Sequence, residues 1–516
     1  MRTIPFKDYD QNQLPILPLD ISEMIPEGHL ARAVNEVVNH ISFEVFQKAF
    51  ENEGQPPYHP RMMMKVLIYS FSTKLYSSRK IEKALKQDIV YMWLSGMQYP
   101  DHNTISRFRS YYFQNIIEEV FTKVLEYLHK NGYIRFENHF VDGTKIEANA
   151  GKYTYVWKKN IQRYKSILRE RVKEIFHQID VINAQEDEQY GNNSLEELGA
   201  GKTIDSASLK QIANELNAEL QGKPKETRKK LHSKIRDLKS KAEKLEEYEQ
   251  KEQILGKRSS FSKTDPDATF MRMKGSEELR AGYNVQISTE DQFITNYSIH
   301  SNPSDAGTFT HHIEQIKNRG EEYIPNTYTG DAAYGSEENY HSLEELGIES
   351  YLKYNTFYQE TTKPNDDPFQ KQNMKYDSDH DCFICPKGKQ IVFVSECFQT
   401  TDNGYKTRLR QYKCFECQGC EFKDKCKKSD THRTIQVREK LDKYKAQARD
   451  NLSSEKGISL RKQRGCDVET VFGNIKHNMG YRRFYLRGKE KAYLEMGWIS
   501  IAHNIQKLNN LIKKVA

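Results

Sequence analysis

Residues 461–491 read RKQRGCDVETVFGNIKHNMGYRRFYLRGKEK and carry nine Lys or Arg against three acids. Val468, Phe472 and Ile475 recur at helical spacing, so the segment is predicted to be a helix with one buried face. Glu469 falls inside that apolar period, and Lys476, seven residues on, shares its face two turns away. A carboxylate on so basic a helix can bind a cation while its neighbours hold a polyanion. Taken alone, Glu469 also fits a structural ion pair with a nearby Arg. The remainder of the chain decides between the two.

The 516 residues allow two to four domains. A charged content of 29% and a mean hydropathy of -0.85 describe a chain with much exposed helix. The net charge is only +7, but the basic residues cluster, as a nucleic-acid partner requires. No apolar run approaches the ~20 residues that span a bilayer, and MRTIPFKDYDQNQLPIL at the start has no signal-peptide core. The expected location is cytoplasmic, associated with the nucleoid, with no membrane partner.

Residues 1–130 read as an all-α unit. Leu30, Val34, Val37 and Ile41 form one stripe, and Met64, Leu67, Ile68, Phe71 and Leu75 another. In GMQYPDHNTISRFRSYYF (96–113), Gly96 and Pro100 punctuate a turn, Asp101 or Thr104 can cap, and a helix follows. That is the order of a helix-turn-helix, with His102, Asn103, Arg107 and Arg109 as groove contacts.

A strand is expected over IRFENHFVD (134–142), ending on Asp142. From 157 to 255, two heptad-like runs predict two long helices folding back as a coiled-coil arm, an insertion because strand-like sequence resumes after it. The runs are Ile161, Tyr164, Leu168, Ile175, Ile179 and Ile182, then Leu231, Ile235, Leu238, Ala242, Leu245 and Tyr248. Strands then follow in AGYNVQIS and FITNYSIHS, a helix at Phe309, Ile313 and Ile316, and a strand in NTYTGDAA ending at Asp331. The helix YGSEENYHSLEEL and the strand SYLKY complete an RNase H-like α/β order. The core therefore comprises 131–156, 256–375 and 436–516. Its closing helix carries Leu494, Trp498, Ile501, Ile505 and Leu508, with His503 read as a packing histidine.

Seven of the eight cysteines lie between Cys382 and Cys426. Cys382, Cys385, Cys414, Cys417, Cys420 and Cys426, in paired CxxC steps about thirty residues apart, suit one tetrahedral zinc taking four of the six. Residues 376–435 form this Cys-rich insertion, with Cys397 and Cys466 as spectators.

Several motifs, in order along nearly the whole chain, resemble DDE transposases of bacterial insertion sequences. They are VDGTKIEANA, SKTDPDATFMRMKG with AGYNVQ, TGDAAYGSEEN, and VETVFGNIKHNMGYRRFYLRG with AHN. The group they resemble most is the insertion-sequence family eleven-eighty-two. The resemblance implies an RNase H-like catalytic core whose acid triad is Asp142, Asp331 and Glu469, holding two Mg2+ (or Mn2+) ions. It implies cleavage at the element ends and strand transfer into target DNA by a two-metal mechanism. Lys476 fits the family's Lys seven after the Glu. Its Arg, four before the Glu, falls on Gly465, with Arg464 one residue earlier. Lys476, Arg482, Arg483 and Arg487, with Arg464, are the expected phosphate contacts. Partners would be duplex DNA, as terminal inverted repeats and target, and a second copy in a homodimer, since two ends must be cut together. The rival reading is a catalytically silent DNA-binding protein, such as a terminal-repeat-binding repressor or a domesticated transposase. A coiled-coil scaffold would explain only the arm.

Overall fold

The computed structural model describes residues 20–48, 58–190, 204–273, 278–362, 366–427 and 431–515. Strand β1 (Asn138–Glu147) lies at the centre of the main sheet. A short ribbon of β2 (Tyr155–Trp157) and β3 (Ser260–Ser262) marks the root of the arm. Then come β4 (Thr269–Arg272), β5 (Leu279–Glu290), β6 (Phe293–His300), β7 (Thr327–Gly330) and β8 (Glu349–Leu352). The order β4-β5-β1-β7-β8, with β6 also on β5, makes a mixed sheet. β5 and β6 form an antiparallel hairpin against β1, and β1, β7 and β8 run parallel.

Every residue of β6 and all but the first two of β5 are buried, as expected where both faces of a sheet are covered. On one face the buried residues are polar and satisfy one another. Ser288 and Ser298 both meet His312, at 2.6 and 2.8 Å, and Asn296 donates to the His312 carbonyl at 2.8 Å. The closing helix (Lys489–Val515) docks on the sheet through Asn504. Its side chain accepts from Ile294 N–H (2.8 Å) and donates to Ile294 C=O (2.9 Å), satisfying backbone groups of β6. His503 packs as expected, bonded to Gln292 C=O and to Asn474.

The N-terminal helices share one hydrophobic core with this sheet and the closing helix. Trp498 lies against Phe71 and Phe113, at ring separations of 6.0 and 5.5 Å. The boundary expected at residue 130 is therefore continuous packing. Glu290 fastens it, its carboxylate accepting from the N–H groups of Arg135, Phe136, Glu137 and Asn138.

The arm has three helices where the sequence suggested two: Lys158–Tyr190, Ser206–Glu219 and Lys225–Leu255. Leu209, Ile212, Ala213 and Leu216 supply the middle helix's contribution to a separate arm core. That one short i, i+3, i+4, i+7 run lay in a stretch otherwise polar enough to read as a loop. The Cys-rich insertion is a second sheet, β9 (Lys375–Asp377), β10 (Cys382–Ile384), β11 (Gln390–Thr400), β12 (Lys406–Lys413) and β13 (Thr434–Val437), adjacent in chain order. It has a small core of its own around Phe383, Ile391, Tyr412 and Ile435.

Candidate active site

β1 does not end at Asp142, as the sequence suggested, but runs on to Glu147, because β5 pairs with it as far as Glu147↔Gly282. The pairing with β7 is shorter. It runs from Asn138↔Thr327 to Phe140↔Thr329, and continuing that register two residues brings Asp331 beside Asp142. Asp142 is only 8% exposed and accepts from Gly143 N–H at 2.8 Å. Asp331 follows β7 and caps the next turn, accepting from Ala333 N–H at 2.9 Å. Gly143 is required here: a Cβ would stand 2.4 Å from Gln286 Nε2 and 2.5 Å from Asp305 Oδ1.

Glu469 arrives from the other side, on a helix that is not uniformly α. Glu455–Arg464 is α-helical, Gly465–Glu469 is a π turn, Thr470–Gly473 is α again, and Asn474–Asn478 is a second π turn. π turns close i→i+5, so the residue five before Glu469 takes the place that the fourth takes in an α-helix. Arg464 accordingly lies beside it. Its Nη2 is 4.0 Å from Glu469 Oε1 and its Nη1 3.7 Å from Asp142 Oδ2. One planar guanidinium thus bridges the two acids, which puts them within about 10 Å of each other.

Asp142, Glu469, Lys476 and Arg482 line one cleft of about 880 Å³, with Thr144 and Glu147. Lys476 Nζ donates to Thr144 Oγ1. Arg482 Nε donates to Lys476 C=O (3.1 Å), Arg483 to Ala150 C=O (3.0 Å) and Arg487 to Asn149 C=O (3.0 Å), and all three side chains are exposed at the rim. Asp331 is half-buried and is not part of this cleft's lining.

Sequence reasoning passed over Asp305, Gln286 and Tyr334. Asp305 Oδ1 accepts from Asn284 Nδ2 (2.7 Å) and Gln286 Nε2 (2.8 Å), and Tyr334 OH donates to Gln286 Oε1. Burial first, then the charges of Asp305, Asp142 and Asp331, hold the Tyr334 hydroxyl well above its ordinary pKa. The only signal was NPSDAG (302–307), which reads as a strand breaker.

The proposed groove contacts divide. Asp101 caps the helix His102–Arg107, accepting from Thr104 N–H at 2.7 Å. Asn103 and Arg107 are exposed and line a shallow surface with Tyr111, itself 69% exposed. His102 is held by Glu82, 2.8 Å from its Nδ1. Arg109 does not face a groove. It is 7% exposed, donates to Tyr76 C=O at 2.7 Å and faces the buried Glu495. Arg109 is two residues past the exposed Arg107, a step that puts it on the opposite, inward side of the helix. Arg107→Ala should weaken duplex binding with the melting temperature unchanged. Arg109→Ala should cost about 1 to 3 kcal/mol of stability, because the buried Tyr76 C=O loses its donor. Chemical denaturation and a binding titration on both variants check this.

The six candidate thiols do not form one set. Burial, with Cys417 and Cys385 adjacent, pushes Cys414 up to about 11. Cys426 is likewise raised, by burial and then by its neighbours Cys417, Cys385 and Cys420. Lys387–Glu421 (2.8 Å) and Lys389–Glu416 (2.9 Å) tie the Cys385 turn to the 414–421 turn. Cys382 is buried on β10, where its charged neighbours are Asp377 and Asp381. Cys397 and Cys466 are exposed. Among the described residues, no three His, Cys, Asp or Glu side chains are drawn close enough together to hold one ion. Both candidate centres are neighbouring donor sets, not closed cages.

Two family models match the chain: a transposase DDE domain over residues 384–509 and a transposase domain (DUF772) over residues 19–111. The first spans the cysteine turns, Glu469 and the basic rim, and the second ends at Tyr111. No curated protein and no solved structure gives a significant match. The two family matches support a DDE transposase of an insertion sequence, a class that uses divalent metal ions.

Proposed function

We propose that this chain cuts DNA at insertion-sequence ends and joins them to target DNA, with Asp142, Asp331 and Glu469 as its acid triad. The observation that carries this is Asp142 and Glu469 lining one basic cleft with Arg464 between them, and the β1–β7 register, which continued two residues past its last pair would set Asp331 beside Asp142. The strand order supports an RNase H-like core: β6-β5-β1 antiparallel, then β7 and β8 parallel to β1. The motifs along the chain support kinship with the insertion-sequence family eleven-eighty-two.

The donor set fits hard cations, since three carboxylates offer oxygen alone. Arg464 already sets positive charge between two of them. When bound, two Mg2+ or Mn2+ ions would supply an activated water or 3′-hydroxyl and stabilise the leaving oxygen. Lys476 and Arg482 hold the scissile phosphate within the cleft, and Arg483 and Arg487 hold flanking phosphates at the rim. Asn103 and Arg107 contact the element end, with a second copy engaging the other end. A silent repressor has no use for two acids, Asp142 and Glu469, set on one basic cleft. The test is incubation with duplex carrying the element's ends and Mg2+ or Mn2+. Nicks at the ends support the reading, and intact ends with DNA bound overturn it.

The Cys-rich sheet is proposed to hold one structural zinc through four of Cys385, Cys414, Cys417, Cys420 and Cys426. The soft thiol donors fit that ion, and Arg433 N–H lies 3.4 Å from Cys417 Sγ, ready to donate to a thiolate. Protein purified without chelator should contain about one zinc per chain. Cys382→Ser should retain it and Cys417→Ser should lose it, as read by elemental analysis.

A further inference from the structure

The arm is absorbed by none of the chemistry above, yet its third helix (Lys225–Leu255) has a sharply divided charge. From 225 to 241 it carries eight Lys or Arg and two acids, and from 242 to 255 two Lys and five Glu. Within the first part, Lys225, Arg228, Lys229, His232, Arg236 and Lys239 follow at steps of 3, 1, 3, 4 and 3. Those steps make a single stripe, and all six residues are exposed. Leu231, Ile235, Leu238 and Ala242 face the arm core beside it. The acidic half is spent inside the arm, where Glu252 pairs with Lys165 and Glu246 with Lys210. The stripe lies outside those pairs.

Helix stability does not explain the stripe. Cations gathered at a helix N-terminus oppose its dipole, and like charges at i, i+4, such as Lys225 and Lys229, repel. A feature that breaks two local rules without a local gain points to function. The stripe covers fourteen steps of 1.5 Å, about 21 Å, the axial length of about six base pairs of duplex at 3.4 Å each.

We infer that the outer half of this helix is a sequence-independent phosphate rail that grips duplex DNA away from the cleft. The inference rests on the DNA-cutting reading but needs none of its catalytic residues. The test uses the full chain with Lys225, Lys229, Arg236 and Lys239 all changed to Gln. Gln is a comparable helix former, and relief of repulsion should leave the melting temperature equal or higher. Binding to an end-bearing duplex of about 60 base pairs is followed against salt, with cleavage measured beside it. The log K against log salt slope should flatten by about 2 to 4, at about 0.9 for each phosphate no longer neutralised. Cleavage of DNA already bound at low salt should persist. Equal slopes for parent and variant would overturn the rail while leaving the cleft reading standing if the parent binds and cuts. A parent that binds no DNA would overturn both. A variant that loses duplex RNA or heparin but keeps its full DNA slope would also overturn the rail.

Discussion

Glu469→Gln should lower metal-dependent cleavage at least about a thousandfold, because divalent ions supply several kcal/mol of charge stabilisation in the transition state. Binding of end-bearing DNA should stay within about twofold, because phosphate contacts position the duplex and Lys476, Arg482, Arg483 and Arg487 are untouched. The fold should also hold. Glu469 is exposed, and its charged neighbour Arg464 stands at 4.0 Å, so a stability change within about 0.5 kcal/mol is expected. Lys476→Ala should do the opposite, weakening binding and flattening its salt slope by roughly one phosphate contact. If Glu469 were only an ion-pair partner, the Gln variant would cut DNA in proportion to its folded fraction. Nicking, binding and melting measured on the same preparations separate the two.

Acid should destabilise this protein steeply. His139, His300, His312 and His503 are all buried, and burial is the largest cause of each shift. It brings His139 and His300 down to about 3 and His503 to about 4, and His312 well below its ordinary value. An imidazole held neutral in the fold takes up its proton only on unfolding. Stability from such a group is therefore whole above about pH 6.5 and drains as pH falls toward its folded value, at about 1.4 kcal/mol per pH unit for each histidine. Glu495 and Asp467, raised by burial, act in the other direction and offset part of this. A net loss of several kcal/mol between pH 7 and pH 5 is expected. Urea midpoints at the two pH values measure it, and equal midpoints would show that these histidines are charged or solvated in the fold.

What the sequence made legible follows from how local each signal is. The parallel and hairpin strands carried their own periodicity, so AGYNVQIS, FITNYSIHS and NTYTGDAA read as strands. Val468, Phe472 and Ile475 are buried as their spacing required. The errors arose where neighbours override spacing. β1 outruns Asp142 because β5 continues beside it, and Arg109, two residues past the exposed Arg107, falls on the inward side of its helix. A π turn explains Arg464. Counting in α-helical steps placed an Arg at Gly465, whereas the π turn brings Arg464 to Glu469. Asp305 read only as a strand breaker, because its partners Asn284 and Gln286 come from a strand some twenty residues earlier.

The central claim, that Asp142, Asp331 and Glu469 serve one metal site, is tested most directly by counting bound Mn2+ with electron paramagnetic resonance. The full chain with end-bearing duplex is compared with Asp142→Asn, Asp331→Asn and Glu469→Gln. Two ions per active site are expected for the parent, with at least one missing from each variant while DNA stays bound. Undiminished Mn2+ binding in any folded, DNA-bound variant would remove that acid from the site and contradict the account.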